Sequence, residues 1–337
     1  SIGSELVKNC LYFDPGLLIL LDQSEHNLFK IDRECAQNLH AISYKSILGD
    51  IRDKALLHRV FSSFKPDVVF HAAAYKHVPM QEEHPWEAVF TNIQGTRNLM
   101  DVSEDYGVNR FVLVSTDKAV NPTNIMGATK RVAEKLIQSK SNDSIVKYMA
   151  VRFGNVIGSS GSVIPTFQDQ IRKGGPITLT NPKMQRYFMS ISEAAQLILQ
   201  AGAMGSGGEV YVLDMGNPVN IKDIAYELIR LSGLEPEKDI SIEYIGSRPG
   251  EKLYEELQTN DENILDTDHE KILMMKNENG YNWDHLLGKV DEVTSSAKLY
   301  DINKVMDSLK TFIPEYVPDY TNEVDWVEKT AKKIINN

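Results

Sequence analysis

The sequence is poor in cysteine, in long apolar runs and in positive charge, and each shortage excludes a class of protein. Its two cysteines, Cys10 and Cys35, are too few for a disulfide scaffold, and we predict no metal site. The longest apolar run, at 17–21, has the length of a strand rather than of a membrane-spanning helix. A formal net charge of −11 argues against nucleic acid or anionic membranes as general partners.

Strand-like and helical patterns alternate through the first half of the chain. Apolar or β-branched runs at 17–21, 67–70 and 110–115 predict strands, and amphipathic stretches such as 92–106 predict helices. The first run is apolar throughout, which predicts a strand buried on both faces. The alternation predicts an α/β fold with a Rossmann-type, doubly wound parallel sheet. Ligands of such sheets bind beyond the carboxyl ends of the strands.

The second half has a different texture. From residue 154 the chain is rich in glycine, serine and proline, and strands and helices no longer alternate regularly. Strand-like runs at 177–180 and 210–213 flank a helical pattern at 192–201. We therefore predict a smaller, irregular α/β lobe that closes over the sheet.

The first residues fit the end of a dinucleotide-binding turn, in which a glycine turn opens a helix and an acid ends the next strand. Gly3, with Ser1 and Ile2 beside it, can be the last glycine of such a turn, and Asp22 can hold ribose hydroxyls. A carboxylate there repels a 2′-phosphate, so NAD is favoured over NADP, and we assign Ser24 to the same site. A plain turn at Gly3 and a helix cap at Asp22 are the alternative interpretation.

Two further segments follow predicted strands and fit a flat cofactor. Asp50 and Ile51 come after one strand, where a carboxylate can bind an adenine amine. Ala72, Ala73 and Ala74 come after the next, and their small side chains allow a cofactor to approach the backbone closely. Small residues at a strand end are equally typical of helix packing.

The segment richest in reactive groups follows the strand at 110–115. Thr116, Asp117 and Lys118 stand in succession at its end, and Met126 and Lys130 then share one face of a predicted helix. Charged groups beside a buried strand need partners or a ligand. A strand-end salt bridge with a surface lysine is the alternative interpretation.

The order of these elements resembles the extended short-chain dehydrogenase/reductase superfamily. The stretches at 71–79, 115–130, 152–156 and 248–256 resemble one branch, the nucleotide-sugar 4,6-dehydratases of capsule, flagellin-glycan and O-antigen type that act on UDP-N-acetylglucosamine. This resemblance extends over roughly residues 1–257. It implies an NAD-dependent lyase that converts a UDP-sugar into its 4-keto-6-deoxy form.

The resemblance implies a role for each residue after the strand at 110–115. Hydride leaves carbon 4 for NAD, the carbon 5 proton becomes acidic, water leaves from carbon 6, and hydride returns there. Thr116 then bonds the oxygen at carbon 4, and Asp117 and Lys118 form the acid–base pair, in an order that stays open. Asp117 is also the candidate for the proton lost at carbon 4, and Lys130 holds the nicotinamide ribose.

The sequence departs from the superfamily at one position. The usual Tyr-x-x-x-Lys supplies a phenolate base, but here Met126 replaces the tyrosine and only Lys130 remains. We assign Met126 no proton transfer. The methionine form resembles the subfamily that retains configuration at carbon 5, and we expect the retaining reaction.

A UDP-sugar requires local positive charge in an acidic protein, and Arg186 and Arg248 are our candidates for its diphosphate. The resemblance places Glu251 at a ribose hydroxyl and Asn155 at the sugar nucleotide. Lys76 and His77 lie near the expected cleft, where a structural role fits equally well. The predicted substrate-binding residues are therefore Lys76, His77, Asn155, Arg186, Arg248 and Glu251.

We assign residues 1–153, completed by segments within 187–214, to an NAD-binding domain, and 154–186 with 215–337 to a nucleotide-sugar lobe. Since the chain opens at Ser1 without a methionine or signal peptide, we expect the first strand and glycines upstream. We expect a cytoplasmic homo-oligomer, attached to a membrane only through an upstream anchor. The alternatives are a nucleotide-sugar 4-epimerase and a catalytically silent NAD-binding regulator.

Overall fold

The structure, a computed structural model, describes residues 1–38, 42–140, 144–159, 161–259, 262–275 and 282–319. Its helices are α1 (Ile2–Cys10), α2 (Glu25–Asn38), α3 (Lys54–Phe64), α4 (Val78–Glu83), α5 (Pro85–Ala88), α6 (Thr96–Asp105), α7 (Ile125–Lys140), α8 (Val163–Arg172), α9 (Ile191–Met204), α10 (Ile221–Leu231), α11 (Trp283–Ala297) and α12 (Ile302–Phe312). Its strands are β1 (Leu18–Asp22), β2 (Tyr44–Leu48), β3 (Val68–His71), β4 (Arg110–Val114), β5 (Lys147–Arg152), β6 (Asn155–Val156), β7 (Ile177–Leu179), β8 (Gln185–Arg186), β9 (Phe188–Met189), β10 (Val210–Leu213), β11 (Val219–Asn220), β12 (Ile242–Tyr244), β13 (Ile264–Asp266) and β14 (Ile272–Met275).

A six-stranded sheet in the order β13-β14-β10-β5-β4-β3 forms the centre of the fold. Strands β3, β4, β5 and β10 run parallel, whereas β14 and β13 are antiparallel to their neighbours. The middles of β4 and β5 are buried, as expected for strands covered on both faces. The predicted α/β class with a Rossmann-type, mainly parallel sheet is confirmed.

The two faces of this sheet carry separate hydrophobic cores because side chains alternate along each strand. Phe111 and Leu113 of β4 point to one face, where they join Leu136 of α7 in the larger core. Val112 points to the other face and packs in a second core with Ile198 of α9. The helices on both faces bring the ends of β3, β4 and β5 to one edge of the fold.

Strands β1 and β2 form a separate parallel pair. Within the described residues β1 is not hydrogen-bonded to β3, and both strands line one cavity. The prediction that the run at 17–21 is buried on both faces is wrong: Leu17 is 41% exposed, and only Leu20 of β1 is fully buried. The physical reason is that β1 has a strand partner on one side only in the described part of the chain. The expected upstream strand stays a prediction.

The stretch at 92–106 is not one regular helix. The segment Val89–Gly95 is π-helical, and α6 begins at Thr96. Within that segment Asn92 Oδ1 accepts a hydrogen bond from Tyr75 N at 2.9 Å, and Nδ2 donates to Tyr75 O at 3.1 Å. The irregular helix thereby fixes the chain that follows β3, a placement at which π-helical turns often serve a site.

A third core lies apart from the sheet, where Phe167 of α8, Ile177 of β7 and Ala225 of α10 are buried together. The structure differs from the predicted lobe for two parts of 215–337. Strands β13 and β14 extend the central sheet, and α11 and α12 pack beside α7 because their apolar stripes face the larger core. Residues 320–337 of that predicted lobe lie outside the described residues. The remaining boundaries stay a prediction.

Candidate active site

One cavity of about 2070 Å³ extends along the length of β1 and β3 and over the carboxyl ends of β3 and β4. These ends lie at the edge at which parallel sheets bind their ligands. Most of the predicted site residues line it, although they come from distant parts of the chain. They are Ser1, Ile2, Gly3, Asp22, Ile51, Ala72, Ala73, Ala74, Lys76, His77, Thr116, Lys118, Met126, Lys130, Asn155, Arg186, Arg248 and Glu251.

Thr116, Asp117 and Lys118 form a hydrogen-bonded set directly after β4. Asp117 Oδ1 accepts a hydrogen bond from Thr116 Oγ1 at 2.9 Å and another from Lys118 Nζ at 3.0 Å. Thr116 and Lys118 line the cavity, whereas Asp117 is 1% exposed and lies behind them. Its Oδ2 is buried without a hydrogen-bond partner among the described residues. The carboxylate therefore has one oxygen that accepts two hydrogen bonds and one buried oxygen that accepts none among the described residues.

Lys118 has a second anionic neighbour that the sequence did not indicate. Its Nζ lies 3.5 Å from Glu255 Oε1 and donates to Asn155 Oδ1 at 3.4 Å. Burial lowers the pKa of Lys118, but the carboxylates of Asp117 and Glu255 outweigh burial and raise the pKa above its ordinary value. Lys118 is consequently held as an ammonium that faces the cavity.

Helix α7 brings Met126 and Lys130 to the same wall. Met126 is 3% exposed and has no ionisable atom. Lys130 Nζ donates to Val114 O at 2.7 Å, and burial lowers the pKa of Lys130 to about 8, with Glu134 acting in the opposite direction. A Cβ at position 127 would overlap the Lys118 carbonyl oxygen, so Gly127 lets α7 lie directly against the turn that carries Lys118.

A buried ionic network fixes α7 to the sheet. Glu134 Oε1 accepts from Ser115 Oγ at 2.6 Å, and Glu134 Oε2 accepts from Arg152 Nη2 at 2.8 Å. The side chains of Glu134 and Arg152 are both 0% exposed, and Arg152 Nη1 also forms an ion pair with Glu262 Oε2 at 2.9 Å. Burial alone would raise the pKa of Glu134, but Arg152 and its other donors lower it to about 2. The network holds β4, β5 and α7 in one arrangement beside Thr116.

The cofactor end of the cavity is built from small side chains and one acid. The first turn of α1 faces it, and a Cβ at Gly3 would lie 3.9 Å from the Ala72 Cβ. Asp22 ends β1, and its Oδ1 accepts from Ser24 N at 2.7 Å. A helix N-terminus followed by a strand-end acid suits the diphosphate and ribose of a dinucleotide.

Two residues predicted for the cofactor do not line the cavity. Ser24 lies at the start of α2, where its hydroxyl accepts from Asn27 N at 3.3 Å. Asp50 is turned away, because its carboxylate accepts from Arg52 N and forms an ion pair with the Arg52 side chain at 2.6 Å. Local helix capping and a local ion pair use the polar atoms assigned to ribose and adenine.

The two predicted diphosphate ligands differ in their surroundings. Arg248 is exposed at the cavity mouth, in a turn that Glu251 closes by accepting from Arg248 N at 3.3 Å. Arg186 is buried, and its guanidinium donates to the carbonyls of Gln185 at 2.7 Å and Lys252 at 2.8 Å. The structure thus places Arg186 as a clamp on the loop after Arg248, whereas Arg248 is presented to the cavity.

Lys76 and His77 lie in the cavity wall after the alanines of the β3 end. Burial lowers the pKa of Lys76, and the nearby Lys118 lowers it further. Burial and Lys76 also lower the pKa of His77, whose ring lies 2.7 Å from where a Cβ at Gly161 would stand. Lys76 thus adds to the positive potential around Lys118, and His77 packs against the loop that precedes α8.

Comparison with known proteins agrees with this geometry. The family model described as "Polysaccharide biosynthesis protein" matches residues 1–277. The chain belongs to this family. Within the described residues, no helix is both long and apolar enough to cross a membrane. In the same residues, no group of histidine, cysteine and acidic side chains is arranged to hold a metal ion.

Three curated relatives are informative. The capsular polysaccharide biosynthesis protein CapD of Staphylococcus aureus is 52% identical over 81% of this chain, but the chain spans only 46% of CapD. A UDP-N-acetylglucosamine 4,6-dehydratase (inverting) of Campylobacter jejuni is 33% identical over 79% of the chain and 76% of its own length. A UDP-glucose 4-epimerase of Rickettsia bellii is 34% identical over 78% of the chain and 76% of its own length.

Solved structures show the same architecture. Pen from Bacillus thuringiensis superposes with a TM-score of 0.76 at 35% identity, covering 82% of this chain and 85% of its own. DesIV of Streptomyces venezuelae, a dTDP-glucose 4,6-dehydratase solved with NAD bound, has a TM-score of 0.66 at 25% identity and covers 76% and 85%. The family is therefore one of Rossmann-fold enzymes that includes nucleotide-sugar dehydratases and epimerases.

The residues that the sequence analysis missed are buried acids and their partners. Glu255 belongs to a stretch used for the resemblance, but the neighbouring Glu256 has the same side chain and lies at the surface. Glu134 and Arg152 likewise gave no separate signal. A buried ion pair between distant residues has no local pattern, so contact between them becomes visible only in three dimensions.

Proposed function

We propose that this polysaccharide biosynthesis protein is an NAD-dependent UDP-N-acetylglucosamine 4,6-dehydratase. The observation that carries the proposal is the hydrogen-bonded set of Thr116, Asp117 and Lys118, which meets the cavity beside Lys130. The set combines a hydroxyl, a carboxylate and an ammonium within hydrogen-bonding distance of one another. Dehydration needs such a group because protons must move at carbon 5 and at the carbon 6 hydroxyl.

The cofactor end fits NAD. Bound NAD would supply the hydride acceptor and donor for internal redox. The first turn of α1 would meet the diphosphate, Asp22 the adenosine ribose, and the alanines after β3 the flat face of the cofactor. Lys130 would bond the nicotinamide ribose by exchanging its present contact with Val114 O. Asp22 would repel the 2′-phosphate of NADP.

Thr116 would bind the substrate oxygen at carbon 4. Because its hydroxyl donates to Asp117 Oδ1, its oxygen accepts the hydrogen of the sugar hydroxyl. The proton lost during oxidation can therefore pass through Thr116 to Asp117, which explains how a carboxylate behind the cavity wall takes part. The same route replaces the missing phenolate at position 126.

The elimination of water would use Asp117 and Lys118 together. The ammonium of Lys118 faces the cavity, and Asp117 is linked to the cavity through the hydroxyl of Thr116. The pair provides a donor and an acceptor for the proton transfers at carbon 5 and at the carbon 6 hydroxyl. We further propose retention at carbon 5, since Met126 supplies no second acid or base on its side of the cavity.

The exposed Arg248 would bind the UDP diphosphate, with Glu251 at a ribose hydroxyl and Asn155 near the sugar. The charge of Arg248 faces the cavity, where it can make two parallel hydrogen bonds to phosphate oxygens. Arg186 would shape the loop that presents Arg248. This arrangement supplies local positive charge in a protein whose net charge is −11.

One experiment tests the reaction and its alternative. The purified protein, shown to hold NAD, is incubated with UDP-N-acetylglucosamine in deuterated water, and the product is examined by NMR. A 4-keto-6-deoxy sugar with deuterium at carbon 5 supports the dehydratase, and its carbon 5 configuration tests retention. Unchanged sugar with NAD bound contradicts the proposal.

The second candidate is a nucleotide-sugar 4-epimerase, which the relative from Rickettsia bellii favours at 34% identity, against 33% for the dehydratase relative. An epimerase needs acid–base chemistry at carbon 4 but no acid for the carbon 6 hydroxyl. In the same experiment it yields a sugar inverted at carbon 4, with its carbon 6 hydroxyl intact and no deuterium at carbon 5. That product would replace the dehydratase proposal.

A further inference from the structure

Glu255 places a buried carboxylate between two cations of the site. Its side chain is 4% exposed, and its Oε1 lies 3.5 Å from Lys118 Nζ and 3.7 Å from Arg186 Nη2. It belongs to the loop that follows Arg248, whereas Lys118 belongs to the turn after β4. One carboxylate therefore links the turn at 116–118, which carries the reactive groups, to the loop at 248–256, which we call the substrate loop.

The charged groups around Lys118 come from several elements. Asp117 lies 3.0 Å from the ammonium on the turn itself, and Glu255 approaches it from the substrate loop. Arg186 and Lys76 are the nearby cations, from β8 and from the segment after β3. Two anions thus offset two cations and the burial of Lys118, and Glu255 is the anion that also contacts Arg186.

We propose that Glu255 is a positioning residue that keeps Lys118 an ammonium and directs it toward Asp117. This role rests on the proposed function, since it concerns the acid–base pair of the dehydration. Glu255 itself need not touch the substrate. It acts through Lys118, and its second contact ties the position of that ammonium to the loop that Arg186 clamps.

Loss of the Glu255 carboxylate would leave the positive charge around Lys118 without enough negative charge to offset it. A buried ammonium with a single carboxylate beside it, and two cations nearby, loses its proton more easily than one with two carboxylates. The ammonium would then lose its proton at a lower pH, which narrows the alkaline range over which it can act as a proton donor. It would also be less firmly held, because Asp117 Oδ1 is shared with the Thr116 hydroxyl.

The test compares Glu255→Gln with Glu256→Gln. These are neighbouring acids, of which Glu255 is buried and Glu256 is exposed. Glu256 is 50% exposed and pairs with Lys252 rather than with Lys118. The pH dependence of Lys118 acetylation in the NAD-bound protein, followed by peptide mass spectrometry, reports the proton on its amine without requiring turnover. We expect half-maximal labelling about one pH unit lower in Glu255→Gln, and no shift in Glu256→Gln.

Kinetics provide the second readout. If the chain dehydrates UDP-N-acetylglucosamine, Glu255→Gln should lower kcat about tenfold, move the alkaline limb of the pH–rate profile down by the same interval, and leave KM nearly unchanged. Glu255→Asp, which keeps the charge, should restore part of both effects. NAD affinity and thermal unfolding serve as checks that each variant is folded.

The outcomes separate this proposal from the proposed function. A labelling shift in a protein without dehydratase activity supports Glu255 as the residue that positions Lys118 and overturns the reaction. Active protein whose labelling profile is the same in Glu255→Gln as in the wild type overturns the role of Glu255. An equal shift in Glu256→Gln also overturns it, because the effect would then be a general loss of negative charge.

Discussion

Two regions bring positive charge to the site in opposite ways. One is helix α7 together with β5, and the other is the turn at Arg248. On α7 and β5 the cations are buried and bonded within the protein, Lys130 to the Val114 carbonyl and Arg152 to Glu134. In the turn, Arg248 is exposed and lines the cavity. The two kinds of cation thus differ in burial rather than in charge. The buried cations hold the reactive groups in place, and the exposed Arg248 can bind an anionic ligand.

The largest expected effect is at the reactive segment that the buried cations support. Asp117→Asn and Lys118→Ala should each lower kcat by about 10²- to 10⁴-fold and leave NAD affinity unchanged, because neither lies at the cofactor end. The measurement is product formation by NMR with NAD binding determined by calorimetry. Lys238→Ala, at a lysine that is 70% exposed and does not line the cavity, is the control. Activity of the Asp117 variant within tenfold of wild type would contradict its role.

The next effect concerns stability and contrasts a buried pair with a surface pair. Arg152→Met leaves Glu134 buried without its main partner and should lower the free energy of unfolding by about 3–5 kcal/mol. Arg230→Met removes a pair with Glu227 whose members are 58% and 63% exposed, and should cost less than about 1 kcal/mol. Urea unfolding followed by circular dichroism measures both. Similar losses in the two variants would remove the distinction between buried and exposed cations.

A smaller effect is expected at the exposed turn. Gly250 has φ +72°, and a Cβ there would stand 2.7 Å from the Asn124 Cβ at the start of α7. Gly250→Ala should displace Arg248 and raise KM for UDP-N-acetylglucosamine about tenfold, with a smaller change in kcat. Gly246→Ala is the matched control, since it has φ +86° but no atom within 4 Å of the added Cβ. Equal KM values for the two variants would show that the contact with α7 does not position Arg248.

The smallest effect is expected at Met126, a buried residue of α7 that carries no charge. Met126→Leu conserves volume and removes no ionisable group, so kcat should change by less than about threefold. Steady-state kinetics measure the change beside the Asp117 and Lys118 variants. A loss as deep as theirs would mean that the thioether has a specific part in the reaction.

Part of the site was predictable because it follows from local patterns. The apolar run of β4 ends at Thr116, and the end of a parallel strand faces the ligand edge, so the positions of Thr116 and Lys118 follow from the strand pattern. The helical spacing of Met126 and Lys130 placed both on one wall. Asp50 does not line the cavity, and its carboxylate pairs with Arg52 two residues away, a contact that the strand pattern does not predict.

Other features depend on contacts between distant segments. We predicted that the last helices belong to the second lobe, but Leu286 of α11 and Leu309 of α12 pack in the core beside α7. An amphipathic helix shows that it has an apolar face without showing which core that face meets. We predicted that Arg186 binds phosphate because a guanidinium suits phosphate oxygens. No local pattern shows that its guanidinium also donates to the carbonyls of Gln185 and Lys252.

The sequence by itself determined the parallel sheet, the reactive segment at a strand end and the lack of an ionisable side chain at position 126. These follow from hydrophobic period and residue type, which act over a few residues. The tertiary structure alone decided that Glu255 rather than Glu256 meets Lys118, and that Arg186 is bonded internally while Arg248 is exposed. Both depend on how the loop after Arg248 folds back over segments more than sixty residues away in the chain, where packing and charge balance select the contact.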